Sequence, residues 1–425
     1  MTTRPIPGGP PWSPPPRRIR ITASALLAAA GMALPALAQQ PQGGQVAAGS
    51  ATINYQGNYT GITASNGSII NWQSFNIGQG QTVQFFQPNA NSRVLNRVSG
   101  PAPTRIAGTL TANGLVYTAT PAGVFFAHGS LVNVGGIYAS AGNISNADFL
   151  AGRNHFTGVQ GVVQNDGTIN SPAAHLIGQR VANFGSINAP NGMVTMTAGS
   201  DVYIGEQGGQ IFARISGAPA SGGTGVTQAG NINAAGGQVR LGAGDMYAVA
   251  IDHPGSTVAR NITLQGGRGG DDPNVQGGIV SVTGTLDASD HTAGHSGGTV
   301  KVLGDRVGIQ GFGYIDASGD AGGGTILVGG NRQGQGPEVN SQATYVGVDA
   351  TLRADATTSG AGGRVIVWSD NLTRAYGHIS ARGVDAGGFV ETSAKHEVQI
   401  MRTPDIMASR GRSGTWLIDP DDLTF

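Results

Sequence analysis

A two-part repeat that begins near residue 160 constrains the fold more than any other feature of the sequence. Its first part is a short apolar segment that follows a glycine, and apolar and polar residues alternate within it. This first part recurs at Gly167–Pro172, Gly185–Pro190, Gly230–Ala234, Gly284–Ala288, Gly313–Ala317 and Gly377–Ala381, with a degenerate copy that starts at Ala350. Such alternation is typical of a half-buried strand. The repeat therefore predicts a series of similar, strand-containing units.

The second part of each unit is a glycine pair followed by another apolar strand. These pairs are Gly236–Gly237, Gly297–Gly298, Gly323–Gly324, Gly362–Gly363 and Gly387–Gly388. One unit cannot bury its own apolar side chains, so the units must stack as the coils of a solenoid. Glycines are expected at the corners of the coil, where they tolerate a positive φ. A β-sandwich is the alternative, but it predicts frequent turns without a longer repeat.

Composition supports an all-β fold. The chain has 72 glycines in 425 residues, whereas glycine usually makes up about 7% of a protein. Glycine destabilises a helix interior by roughly 1 kcal/mol relative to alanine, so few helical windows remain. The 24 basic and 24 acidic residues balance, which argues against a nucleic-acid partner, and the absence of cysteine excludes disulfides. The sequence therefore predicts an all-β, right-handed parallel β-helix.

Residues 45–160 differ from the repeats because they contain fewer glycine pairs and more aromatic residues. The aromatic residues include Trp72, Phe75, Phe85, Phe86, Phe125, Phe126 and Phe156. An open β-helix end exposes unpaired strand edges, which a bulky, divergent segment can cover. We therefore predict an N-terminal capping region over residues 39–160 and β-helix repeats over residues 161–425. Gly217–Gly225 and Gly334–Pro337 are predicted to be loops extruded from the coil.

The N-terminal residues predict an export signal. Three arginines within Arg17–Arg20 precede the apolar stretch Ile21–Pro35, and the small-x-small sequence that ends at Ala38 is followed by Gln39. This order is typical of a secretory signal peptide over residues 1–38, cleaved after Ala38. A membrane anchor is the alternative, but a spanning helix needs roughly 20 apolar residues. We expect no membrane-spanning segment in the mature chain.

Acidic residues give little support for catalysis. A β-helical polysaccharide lyase or hydrolase, which is the alternative class of protein, needs carboxylates clustered on stacked coils. Asp287 and Asp316 occupy equivalent positions after a strand, but Arg353 follows at the equivalent position of the next coil. Turn capping explains these aspartates. We therefore predict that the chain is not an enzyme.

Two segments invite a metal hypothesis. His291 and His295 have a spacing that forms a ligand pair on a helix, but here the two residues lie in a glycine-rich loop. Gly266–Asp271 is similar to a calcium-binding nonapeptide but occurs once, without the required tandem repetition. We expect neither a metal nor a cofactor.

The N-terminal region resembles the secretion domain of filamentous-haemagglutinin-type exoproteins. The segments that carry the resemblance are, in order, Ile70–Gly78, Val83–Phe85, Val94–Val98, Ile106–Leu110, Ala112–Gly114, Phe125–Phe126, Val134–Ile137, Ala139–Ser140 and Asp148–Leu150. The resemblance implies a TpsA-type exoprotein of two-partner secretion, whose secretion (TPS) domain extends to about residue 300. It also implies a partner, an outer-membrane TpsB-type barrel transporter whose periplasmic POTRA domains recognise this region.

Two short elements of the family map onto this sequence. An Asn-Arg-Val element is matched by Asn96, Arg97 and Val98. An Asn-Pro-Asn-Gly-Ile element is matched in part, because Thr120–Val124 keeps Pro121 and Gly123 but has neither asparagine. The resemblance implies a role for these residues in secretion or transporter recognition. A structural role for Asn96 and Arg97 is the alternative, since asparagine caps turns and arginine binds carbonyl groups.

The C-terminal segment Gly414–Pro420 resembles a segment that lies inside long members of this family, before further repeats. We therefore expect either a truncated product or a naturally short exoprotein. The overall expectation is a secreted, cell-surface protein of a Gram-negative bacterium that is exported through the periplasm. Its expected role is adhesin-like or haemagglutinin-like binding to ligands on host or neighbouring cells.

Overall fold

The computed structural model describes residues 39–207, 210–216, 223–244, 249–267 and 278–424. The predicted signal peptide with Ala38, most of the predicted loop Gly217–Gly225 and most of the segment Gly266–Asp271 lie outside these residues. No helix within the described ranges is long and apolar enough to cross a membrane.

Strands make up nearly all of the regular structure. The N-terminal half contains β1 (Gln45–Ala48), β2 (Ala51–Gln56), β3 (Tyr59–Ala64), β4 (Ser68–Trp72), β5 (Thr82–Phe86), β6 (Arg93–Val98), β7 (Thr104–Ile106), β8 (Thr109–Ala112), β9 (Leu115–Ala119), β10 (Val124–Phe126), β11 (Leu131–Asn133), β12 (Gly136–Ser140), β13 (Asn143–Ile144), α1 (Asn146–Ala151), β14 (Asn154–Thr157), β15 (Val162–Asn165), β16 (Thr168–Asn170), β17 (Ala173–Gly178), β18 (Arg180–Asn183), β19 (Ser186–Asn188) and β20 (Met193–Ala198). The C-terminal half contains β21 (Asp201–Gln207), β22 (Gln210–Ser216), β23 (Thr224–Gln228), β24 (Asn231–Ala243), β25 (Val249–His253), β26 (Ser256–Gln265), β27 (Ile279–Val282), β28 (Thr285–Asp287), β29 (Thr299–Leu303), β30 (Arg306–Ile309), β31 (Tyr314–Asp316), β32 (Thr325–Val328), a 3-10 turn at Arg332–Gly334, β33 (Ala343–Val346), β34 (Thr351–Arg353), β35 (Arg364–Ser369), β36 (Leu372–Ala375), β37 (His378–Ser380), β38 (Phe389–Ala394), β39 (Glu397–Ile400), β40 (Thr415–Leu417) and β41 (Asp422–Thr424).

These strands form a parallel β-helix with three faces. The first face runs through β5, β8, β11, β16, β19, β28, β31, β34 and β37, and the second through β6, β9, β12, β17, β20, β29, β32, β35, β38 and β40. The long strands β24 and β26 contribute to both of these faces. Within the described residues, the third face is a 12-stranded sheet from β7 to β41. The predicted all-β parallel β-helix is therefore confirmed, and each predicted two-part unit supplies the strands of the first and second faces.

Register places equivalent apolar residues directly above one another. Ile169, Ile187 and Ile232 form one column of paired positions on the first face, and each side chain is almost fully buried. Strand neighbours in parallel pairs lie about 4.8 Å apart, so a column of identical residues fills the narrow interior without voids. The hydrophobic core is thus a continuous stack that extends along the coil.

The glycine at the corner between the third and first faces is required by close approach rather than by a positive φ. A Cβ atom on Gly185 would lie 2.1 Å from the carbonyl oxygen of Gly167, and one on Gly230 would lie 2.1 Å from that of Gly185. Neither Gly185 nor Gly230 has a positive φ. The expected reason for these glycines was wrong, because each corner packs its backbone directly against the corner of the preceding coil.

One column in the interior is polar. Asn165, Asn183 and Gln228 are fully buried on the third face, and each side-chain amide donates to the next one at 2.8 Å. The amides of Asn165 and Gln228 also donate to the carbonyls of Gly167 and Gly230. A buried polar network of this kind stabilises a structure only when its members are paired, so the ladder holds successive coils in register.

The N-terminal cap differs from the repeats in strand direction. β1 pairs antiparallel with β4, and β2 pairs antiparallel with β3. Beneath them the Trp72 and Phe75 ring centroids are 5.4 Å apart, and those of Phe75 and Phe85 are 6.2 Å apart. The capping role of residues 39–160 stays a prediction. Parallel pairing already runs across residue 160, since β10 pairs with β15.

Two structures outside the coil cover parts of the second face. We call the first the roof; it is the four-stranded antiparallel sheet of β13, β14, β21 and β22 together with α1. We call residues 329–342, between β32 and β33, the strap. The predicted loop Gly334–Pro337 lies within the strap, as expected.

Aromatic residues pack beneath the roof. The rings of Tyr117 and Tyr138 stack at 4.2 Å, and those of Tyr138 and His175 at 4.3 Å. Phe149 of α1 meets Tyr117 edge-on at 5.2 Å. Burial lowers the pKa of His175 to about 3, so this imidazole is neutral at physiological pH and hydrogen-bonds Thr195. The roof is thus attached by a second, aromatic core outside the coil.

Candidate functional site

The Asn-Arg-Val element lies at the end of β6, where alternation sends neighbouring side chains to opposite sides of the sheet. Asn96 and Val98 are buried with Val94, whereas Arg97 is partly exposed. The buried Asn96 accepts a hydrogen bond from Trp72 Nε1 at 2.9 Å and donates to the Tyr117 carbonyl at 3.3 Å. Asn96 therefore stabilises the fold from the interior and presents no side-chain surface to a partner.

Arg97 connects β6 with the start of the roof. Its guanidinium donates to the Ile144 carbonyl at 2.7 Å, to Asn143 Oδ1 at 3.1 Å and to Asn71 Oδ1 at 3.4 Å. Burial lowers the pKa of Arg97, but an arginine guanidinium remains cationic at physiological pH. All three acceptors are neutral, so the charge of Arg97 is not cancelled by these contacts.

The second element, Thr120–Val124, forms the turn between β9 and β10. Gly123 donates its N–H to the Thr120 carbonyl at 3.0 Å and has a φ of 112°. A Cβ atom at Gly123 would lie 2.6 Å from the carbonyl oxygen of Val162, so glycine is required here for both reasons. Pro121 is exposed at the tip of this turn.

The two elements meet on one surface. Arg97 and Val98 of the first element and Pro121 and Ala122 of the second line one groove of about 460 Å³. The remaining lining residues are Ser99, Gly100, Pro101, Asn143 and Gln160. Sequence reasoning missed Asn143 and Gln160, which lie at the two ends of the segment that leaves the coil. Gly100 and Pro101, which follow Val98 after one serine, were a turn signal that could have indicated this part of the groove.

Helix α1 lies beside this site and carries the Asp148–Leu150 match. Ser145 caps the helix by accepting from the Asp148 N–H at 3.0 Å, and Asp148 pairs with Arg153 at 2.7 Å. Phe149 is buried between Tyr117 and the guanidinium of Arg93, which lies 5.6 Å from its ring centroid. Leu150 is 51% exposed, so the helix presents an apolar side chain on the outer surface.

The acidic positions form capped turns. Asp287, Asp316 and Arg353 are paired in consecutive coils, as predicted, so a cation interrupts the row of carboxylates. Asp287 accepts from the Ser289 N–H at 2.9 Å and Asp316 from the Ser318 N–H at 2.8 Å. These contacts confirm that turn capping accounts for both aspartates.

The histidine pair lies in a loop between β28 and β29. His295 contacts Asp290 at 2.9 Å, and this hydrogen bond is the main reason why the pKa of Asp290 is lowered to about 2. Within the described residues, no group of three or more acidic or histidine side chains is arranged to hold a metal ion.

Comparisons with known proteins identify the family. The sequence model of the TPS secretion domain matches residues 36–302. The heme/hemopexin-binding protein of Haemophilus influenzae strain Rd is 36% identical over 172 residues, which is 37% of this chain and 19% of that protein. A second Haemophilus influenzae heme/hemopexin-binding protein is 40% identical over 93 residues, which is 22% of this chain and 10% of that protein. The matched segments therefore span less than a fifth of either relative.

A solved structure agrees with the family match. The HMW1 secretion domain from Haemophilus influenzae superposes with a TM-score of 0.75 at 29% sequence identity, and the superposition covers 89% of this chain and 100% of that domain. TPS secretion domains serve the secretion of exoproteins from Gram-negative bacteria and are not a family of enzymes. Since the family model matches more than half of the sequence, the chain belongs to the TPS secretion domain family and is a TpsA-type exoprotein of two-partner secretion.

Proposed function

We propose that an outer-membrane TpsB-type transporter exports this chain and that its POTRA domains bind the groove between Arg97 and Pro121. The observation that carries this proposal is that two separate family-like elements of the sequence line one groove. The groove combines the cation of Arg97 with apolar surface from Pro101 and Pro121. Arginine beside apolar surface is a combination enriched at protein interfaces.

The residues of the two elements fall into two groups: those that can contact a partner and those that only support the fold. Arg97 and Pro121 are exposed enough to touch a partner, whereas Asn96 and Gly123 are buried. We therefore assign recognition to Arg97 and Pro121, and assign to Asn96, Val98 and Gly123 the task of holding the groove in shape. This division gives the two groups different experimental signatures.

Secretion in a heterologous Gram-negative host tests the proposal. The full chain is expressed with and without the candidate transporter, and protein in the medium is measured. We expect transporter-dependent export, and we expect Arg97→Gln and Pro121→Ala to reduce it. Arg105→Gln is the matched control, because Arg105 is an exposed arginine of the same domain that does not line the groove.

Folding and recognition are separated by a second measurement. Circular dichroism and protease resistance of purified Arg97→Gln show whether it still folds. Loss of export by a folded Arg97→Gln protein supports recognition, whereas normal export of both groove variants would contradict it. Export without the transporter, or no export with it, would contradict the two-partner proposal itself.

After export, we propose that the chain acts as a binding protein at the cell surface. An adhesin-like role is supported by the extended β-helix, which carries loops on several corners and a polar outer surface. A second candidate, binding of heme or hemopexin, is favoured by the names of the two Haemophilus relatives. Capture of hemopexin by the purified chain, compared with capture of serum albumin, distinguishes the second role from the first.

A further inference from the structure

The side chains on the outer surface of the second face change along the coil from buried aromatic and apolar groups to polar groups and back. Beneath the roof it carries Tyr117, Tyr138 and His175, and beneath the strap it carries Leu327, Ile366 and Trp368, all of them buried. Between these regions lie three neighbouring strand segments, Gln238–Gly242 of β24, Asn261–Gln265 of β26 and Thr299–Leu303 of β29. We call the outward-facing side chains of these three segments the window.

The window is polar and in register. Gln238 pairs with Asn261, which pairs with Thr299, and Arg240 pairs with Thr263, which pairs with Lys301. The residues between them, such as Val239, Ile262 and Val300, point into the core. The window therefore presents two rows of amide, hydroxyl and cationic groups that repeat along the coil at the strand spacing of about 4.8 Å.

One edge of the strap turns the window into a groove. Pro337, Glu338 and Val339 line the groove with the window residues, and its volume is about 370 Å³. Glu338 is held in place, because it accepts from Lys301 Nζ at 2.8 Å and from Asn331 Nδ2 at 2.7 Å. Ligand sites typically have volumes of about 300 to 1,000 Å³, so the groove lies within the size range of a ligand site.

The charge and environment of Arg240 favour binding of an anion in the groove. Its guanidinium donates to Gln265 Oε1 at 2.7 Å, and no carboxylate of the described residues lies within ion-pair distance of it. Burial lowers the pKa of Arg240, because its guanidinium has lost part of its hydration. A ligand carboxylate would replace that water with a charge-assisted hydrogen bond.

The remaining groups favour a glycan over a peptide. Asparagine, glutamine and threonine side chains both donate and accept, as sugar hydroxyl groups do. The three strands are paired on both sides, so they offer no free backbone edge to an added peptide strand. We propose that the window binds a glycan that carries carboxylate groups, with Arg240 holding a carboxylate and the neighbouring amides and hydroxyls binding the sugar hydroxyls.

This inference deepens the surface-binding part of the proposed function, and its test needs no transporter. Isothermal titration calorimetry at low salt measures binding of a short oligogalacturonate, and of its methyl ester, to the purified full chain. We expect the ester to bind at least about tenfold more weakly, because a charge-assisted hydrogen bond is lost. Arg240→Gln should weaken binding of the acid by a similar factor.

Arg374→Gln is the matched control. Arg374 also hydrogen-bonds a glutamine of the next coil, Gln399 at 3.1 Å, but it lies on the third face. Unchanged binding by this variant is expected.

Equal binding of acid and ester, unchanged binding by Arg240→Gln, or no binding of the acid would overturn the proposal. Binding of polyglutamate instead of oligogalacturonate, with the same dependence on Arg240, would overturn it in favour of an acidic peptide. Export and binding are measured separately, so failure of one proposal is distinguishable from failure of the other.

Discussion

Replacing Asn96 with alanine should destabilise the fold although the residue belongs to a motif associated with secretion. Asn96 is fully buried and is the hydrogen-bond acceptor of the Trp72 indole, which is itself only 1% exposed. The alanine variant leaves that indole N–H without a partner and opens a small cavity. An unsatisfied buried donor costs about 1–3 kcal/mol, and lost packing adds to it, so we expect a loss of about 2–4 kcal/mol.

Urea denaturation followed by tryptophan fluorescence measures this loss. The matched control is Asn170→Ala, because Asn170 lies in a partly exposed asparagine row on the first face, with hydrogen bonds to Asn133 and Asn188. We expect the control to lose no more than about 1 kcal/mol, since water replaces its partners. Equal losses for the two variants would refute the assignment of Asn96 to the interior.

A double-mutant cycle tests the hydrogen bond directly. Trp72→Phe removes the indole donor, so Asn96→Ala should cost less in that background than in the original chain. The difference should be about 1 kcal/mol or more, as for other pairs in direct contact. Strictly additive effects would refute a coupling between Trp72 and Asn96, whatever the size of the single losses.

The remaining predictions concern a turn, a buried histidine and the amide ladder. Gly123→Ala should destabilise the chain more than Gly129→Ala. Both glycines have a positive φ, but a Cβ atom would clash with a neighbour only at Gly123. The difference between the thermal unfolding midpoints of the two variants measures the contribution of the clash. His175 has a folded pKa of about 3 and an unfolded value near 6.5, so the unfolded chain binds more protons between these values and stability falls as pH drops through that range. The original chain should lose about 2 kcal/mol of unfolding free energy between pH 7 and about pH 5 because of His175, and urea titrations should show that His175→Gln does not have this loss. An unchanged pH profile in the variant would contradict the burial of a neutral imidazole. Asn183→Leu should lower the free energy of unfolding by about 2–4 kcal/mol, because it removes the side-chain acceptor of the buried Asn165 amide and the donor to the buried Gln228 Oε1. An unchanged free energy of unfolding in chemical denaturation would show that the ladder does not stabilise the fold.

Sequence reasoning predicted the coil because its signal is periodic. Each glycine-led segment such as Gly284–Ala288 supplies a first-face strand, and each glycine pair precedes a second-face strand. The third-face strands, such as β15 and β18, carry no comparable glycine mark, so the sequence left open whether a coil has two or three strands. Strand composition alone identifies such short segments poorly, because their conformation depends on the neighbouring coils.

The candidate site could be predicted only in part. The resemblance selected Arg97 and Pro121, but their meeting in one groove depends on the stacking of β6, β9 and β10, which no local pattern encodes. Once β6 was known to be a strand, the alternation of its side chains showed that Asn96 points into the interior. Sequence reasoning alone could not show this, because asparagine is usually exposed and apolar residues are usually buried. The window around Arg240 was invisible, because it depends on which stretch of the second face the roof and the strap leave uncovered.

The corners of the coil differ in how much added sequence they tolerate. Between the second and third faces the chain already accommodates the roof and the strap, whereas the corner at Phe184–Gly185 has two residues and no room for a Cβ atom on its glycine. A foreign epitope or enzyme grafted between β32 and β33 would therefore be displayed on an intact scaffold, and the same graft at Phe184–Gly185 would split the stack. For vaccine display or enzyme tethering, insertions should therefore be placed between the second and third faces and kept away from the corner between the third and first faces.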